Sequence, residues 1–103
     1  MIRVVIVPPD APAYVEEIRN ELETMQDIVG GYIETTRLTQ GIRIVCNREG
    51  LIDNLPQNIN LPWLVGTVFL ISDKVGPDGE MIGLDRYTAE NWMQCINCGV
   101  LNR

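Results

Sequence analysis

The alternation and recurrence of apolar positions parse most of the chain. Residues 2–7 read as a strand with Ile2, Val4 and Ile6 on one face and Val5 and Val7 on the other, so both faces are apolar and the strand is interior. Pro8, Pro9 and Pro12 follow and stiffen the chain, because proline fixes φ and lacks an N–H donor. Residues 14–18 fit either an edge strand or an early helical turn. From 20 to 30 the apolar positions Leu22, Met25, Ile28 and Val29 recur at helical spacing. Asn20 is the expected cap, Glu23 completes a capping box, and Gly30-Gly31 stops the helix. Residues 32–38 and 42–46 form a hairpin around Thr39-Gln40-Gly41, and the second strand presents Ile42, Ile44 and Cys46 together. Residues 47–50 are a tight turn, with Gly50 expected at positive φ.

A loop bounded by Pro56 and Pro62 leads into residues 64–71, a nearly continuous apolar run of the kind found in strands covered on both faces. Pro77-Asp78-Gly79 turns the chain, and 80–84 is expected to return as an antiparallel strand. A last helix starts near Asp85 or Thr88, carries Ala89, Trp92, Met93 and Ile96 on one face, and ends at Gly99. The series predicts an α+β fold. We expect a single domain over residues 1–103, with a mixed or antiparallel sheet of four to six strands packed by two helices.

Composition narrows the chemistry. With 103 residues the chain can bury one core but not two. It has no histidine, which removes Ser-His and Cys-His catalysis and any zinc site needing its own imidazole. The expectation is a protein that is not an enzyme and needs no cofactor. The 14 acids outnumber the 8 bases, giving a net charge of −6. Lys74 is the one lysine and the arginines are scattered, so the basic stripe that duplex DNA requires is missing. The apolar start is too short for a signal peptide or a membrane span, and Pro62 and Gly66 interrupt the run at 61–71. Three cysteines, an odd number, suit a reducing compartment. A cytoplasmic protein is expected.

Three groups of residues could carry function. Glu16, Glu17, Glu21, Glu23, Asp27 and Glu34 lie in a stretch with one base, Arg19. Such a surface could dock on a basic host protein or mimic nucleic-acid phosphates, or it could simply be a solvated helix face. Arg37, Arg43 and Arg48, with Asn47, Asn58 and the loop indole of Trp63, could hold a small anionic ligand such as a nucleotide. No glycine-rich phosphate loop accompanies them, and the plainer reading is exposed strand arginines covering apolar surface. Cys95-Ile96-Asn97-Cys98 resembles half a zinc knuckle, for which Cys46 could be a third ligand but no histidine can be the fourth, so an Asp, a water or a second chain would have to complete it. The pair could instead be redox-active, which a helix C-terminus disfavours, and the plainer reading is two small semi-buried residues on one helical face. The expectation is a chain that folds without zinc.

The ordered segments Ile28-Val29-Gly30-Gly31-Tyr32-Ile33-Glu34, Val45-Cys46-Asn47-Arg48-Glu49-Gly50, Leu55-Pro56-Gln57-Asn58 and Leu64-Val65-Gly66-Thr67-Val68 resemble a family of small proteins of bacteriophages and other mobile elements, Domain of Unknown Function family 3846. The resemblance runs from the first strand to the terminal helix. It implies an origin in a phage or an integrated element of a bacterium, among accessory genes where counter-defence proteins are common. It implies no catalytic residues. Together with the charge pattern, it leads us to expect stoichiometric binding to a bacterial host factor through the acidic stretch, with a ligand-sequestering module as the alternative.

Overall fold

A computed structural model describes residues 1–102. Five strands, β1 (Ile2–Val7), β2 (Tyr14–Ile18), β3 (Ile33–Thr39), β4 (Ile42–Asn47) and β5 (Val68–Ser72), form one sheet in the order β2-β1-β5-β4-β3. Every neighbouring pair is antiparallel. Helix α1 (Leu22–Val29) packs on β4 and β3, and helix α2 (Arg86–Asn97) on β1 and β2. A short 3-10 turn, Val100–Asn102, follows α2. This is the expected α+β fold with an antiparallel sheet.

Strand alternation sorts the core into two layers. Val5, Val7, Ile42, Ile44, Val68 and Leu70 join Ala89 and Ile96 of α2. Val4, Ile6, Val45, Phe69 and Ile71 join Met25 and Val29 of α1 on the opposite face. β5 arrives last in the sequence yet sits in the middle of the sheet, which is why its residues are apolar on both sides.

Of the two readings open for residues 14–18, the structure takes the edge strand. Several local expectations are corrected. Asn20 does not cap α1. The N-cap is Glu21, whose side chain makes no capping bond, while Asn20 Nδ2 donates to the Met81 carbonyl. Leu22 is exposed rather than part of the packed stripe. Gly50 is not at positive φ, whereas Asn54 is, at 57°. Glycine is required at 50 for room, since a Cβ there would lie 2.7 Å from Val65 Cγ2. The run at 64–71 is strand only from Val68, because Gly66 turns at φ 73° and Val65 bridges back to Gln57. Residues 80–84 form no strand. Met81 makes one bridge to Val75, the Ile82 carbonyl accepts from Ser72, and Leu84 donates to Arg3.

Candidate functional site

Two concavities meet at the exit of β4. Asn47 ends that strand, and its buried side chain ties three segments together. Its Nδ2 donates to the Val29 carbonyl at 3.2 Å, satisfying an orphan acceptor at the end of α1, and its Oδ1 accepts from the Glu49 N–H at 2.8 Å. Gly31 lets the amide approach, since a Cβ there would lie 2.9 Å from Nδ2. Gly30, at φ 84°, takes the left-handed position that ends the helix.

On one side of this junction is a cup of about 510 Å³. Its wall carries Asp27 from the last turn of α1, Glu49 and Asp53 from the turns after β4, and the exposed ring of Tyr32. Among the described residues none of these carboxylates has an ion-pair partner. On the other side, sharing Asn47 and Glu49, is a groove of about 360 Å³ lined by Arg48, Leu51, Ile52, Trp63 and Leu64. Leu51 is 83% exposed, Ile52 81% and Trp63 53%. Sequence reasoning missed Tyr32, Glu49, Leu51, Ile52 and Asp53. The available signal was Leu51-Ile52, an apolar pair outside any strand or helix pattern.

Cys46 and Glu34 line the groove floor. The thiol donates to the Glu34 carbonyl at 3.8 Å and to its Oε1 at 3.9 Å. Burial, then the charge of Glu34 and this hydrogen bond, push the Cys46 thiol above its ordinary range. That keeps it neutral and a poor nucleophile.

The expected acidic face is divided by the sheet. Glu16 and Glu17 lie on β2 and Glu34 on β3, the two opposite edges, which four strand spacings place about 19 Å apart. Glu16 and Glu17 also point to opposite faces, and Glu17 pairs with Arg3 at 3.5 Å. Glu21, Glu23 and Asp27 are exposed at the start of α1 and along it, and of the six Asp27 enters the cup and Glu34 the groove, the two cavities that share Glu49.

The arginine group is not assembled either. Arg37 and Arg43 face each other across β3 and β4. Arg37 is held by Asp73 at 3.4 Å and Arg43 by Thr35 Oγ1 at 3.3 Å. Arg48 lies five residues further along the β4 direction, about 16 Å away. Asn58 is wholly buried and fully used. Its Nδ2 donates to Val7 and Gly66, and its Oδ1 accepts from Asn60 and Leu61. It is scaffold, not ligand contact. Arg48 and Trp63 alone of this group share a cavity with open side chains.

Cys46 is buried while Cys95 and Cys98 are exposed on α2 and its cap, so the three do not converge. Among the described residues no three Cys, Asp or Glu side chains are placed to hold a metal ion. None of the described helices is long and apolar enough to cross a membrane.

The cup, the groove and the strands that frame them all lie within residues 2–96, the span matched by the model of a family described as Domain of unknown function (DUF3846). The chain belongs to this family. The match covers both helices' packed faces and ends at Ile96, between Cys95 and Cys98. No curated protein and no solved structure matches the chain.

Proposed function

We propose that this DUF3846 protein is a stoichiometric binding protein, not an enzyme, that engages a basic segment of a bacterial host protein at the junction of cup and groove. The carrying observation is that Leu51, Ile52 and Trp63 are exposed on one side of the Asn47–Glu49 turn and the ion-pair-free carboxylates of Asp27, Glu49 and Asp53 lie on the other. Exposed large apolar side chains beside a concavity suit a protein partner, since burying one fully contributes about 1.5–3 kcal/mol. Carboxylates at the rim add little affinity but steer a basic partner and set its orientation. The dispersal of Arg37, Arg43 and Arg48 and the full use of Asn58 weigh against a small anionic ligand. The resemblance to small mobile-element proteins supports a phage origin and a counter-defence setting.

The test is capture of the partner from a bacterial host lysate, followed by kinetics with the purified pair. Neutralising the rim with Asp27→Asn, Glu49→Gln and Asp53→Asn should slow association and flatten its dependence on salt. Trp63→Ala should speed dissociation about tenfold or more, as expected for a buried aromatic anchor. A partner that binds the wild type and both variants alike would overturn the assignment of this surface.

A further inference from the structure

Cysteine is among the most buried residue types, and Cys46 obeys that rule. Cys95 and Cys98 do not. Both are exposed at the end of α2, where Cys95 belongs to the last turn and Cys98 is the C-cap with near-helical backbone, φ −79° and ψ −4°. Two exposed thiols three residues apart on one helix end need a physical account.

We infer that Cys95 and Cys98 form half of a tetrathiolate zinc site completed by the same two residues of a second copy of this chain.

Geometry selects metal over an intrahelical disulfide. Side chains at i and i+3 on a helix have Cβ atoms about 5–6 Å apart. A disulfide needs about 3.5–4.5 Å between them, so forming one would unwind the last turn. Zinc needs only that the sulfur atoms, each one bond beyond Cβ, converge on a point about 2.3 Å from each. A structural zinc also needs four ligands, and among the described residues this chain offers no third donor near the pair. A two-fold axis through the metal supplies the missing two with the same surface from each copy.

The surroundings allow that approach. Tyr87, Asn91 and Gln94 share the outward side of α2 with the two cysteines, and none carries a charge. Arg86 is paired with Glu90 at 3.1 Å, and Asn97 is turned to the Ala13 backbone. On a chain with net charge −6, an uncharged strip lowers the repulsion that two copies meet on approach. Binding replaces the thiol proton of each cysteine by a sulfur–zinc bond and releases those protons to solvent, with no change of oxidation state.

The experiment uses the full chain, stripped by chelator and kept under a non-thiol reductant, titrated with zinc alone. Mass by light scattering and native mass spectrometry should show a dimer holding one zinc per two chains, reversed by chelator. Cobalt in place of zinc should give the visible absorption of a tetrahedral tetrathiolate. Cys95→Ser and Cys98→Ser should each abolish the dimer and the cobalt spectrum, while Cys46→Ala keeps both. Circular dichroism confirms that the exposed-site variants fold. No metal-dependent dimer, a dimer indifferent to both serine variants, or one zinc bound per monomer would each overturn the shared site.

Discussion

Asn58 has no exposed surface, and both its amide hydrogens and both carbonyl lone pairs are engaged inside the protein. It joins the end of β1 to the approach to β5 and closes the loop between them. Asn58→Ala would leave the carbonyls of Val7 and Gly66 and the N–H groups of Asn60 and Leu61 without these partners. Each buried group so stranded costs about 1–3 kcal/mol. The expected loss is about 3 kcal/mol or more, read from the urea midpoint. A loss under about 1 kcal/mol would show that the loop repacks and that Asn58 is not its tie. In the sequence this residue is a polar side chain in a loop between prolines, which reads as a surface donor. Asn47 was misread the same way. Their Oδ1 atoms serve N–H groups two or three residues on, as in ordinary turns, but the acceptors that bury the amides, Val29 for Asn47 and Val7 for Asn58, lie far away along the chain, and no local pattern reports them. Arg48 and Trp63, whose local context is a turn and a loop, were legible as open side chains.

The two helices differ at their starts. Asp85 caps α2, its carboxylate accepting from the Thr88 N–H at 2.7 Å and the Thr88 hydroxyl at 3.0 Å. The backbone bond first, then the hydroxyl, hold the Asp85 carboxyl below its ordinary range. At α1 the N-cap is Glu21, with extended backbone at φ −132° and ψ 140° but no side-chain bond, because its carboxylate is one methylene too long for the reach. Glu21→Asp keeps the charge and shortens the arm. It should stabilise the protein by about 0.5–1 kcal/mol, visible as a higher urea midpoint with unchanged slope. No gain, or a loss, would mean that the first turn of α1 is already satisfied by water. Both helices, the hairpin and β1 were legible because each has a period of its own. The cap at Asn20 and the strand at 80–84 were decided by contacts between positions far apart in the sequence, Asn20 reaching Met81 and Leu84 reaching Arg3.

Across the whole molecule, β1, β5 and β4 are paired on both edges and covered on both faces, while β2 and β3 each leave one edge open. Amide hydrogen exchange should therefore be slowest in β1, β5 and the middle of β4, and faster in β2, β3 and the turns of 48–67. Protection in β3 equal to that in β5 would point to a further strand or partner on that edge. The pattern of apolar residues by itself determined that there are strands and two amphipathic helices, and that the run at 64–71 holds a strand covered on both faces, because burial on both faces must be written as consecutive apolar side chains, although it did not show that the strand starts only at Val68. The lack of histidine and the excess of acids were likewise complete in the sequence. Tertiary structure alone decided the strand order, and with it that Glu16 and Glu34 lie at opposite edges, that Arg37 and Arg48 are apart, and that Cys46 is separated from Cys95 and Cys98. It alone brought Asp27, Glu49, Asp53 and Trp63 to one end of the molecule. The physical reason is that periodicity encodes which face of an element is buried, whereas neighbours across a sheet are chosen by the packing of all elements at once.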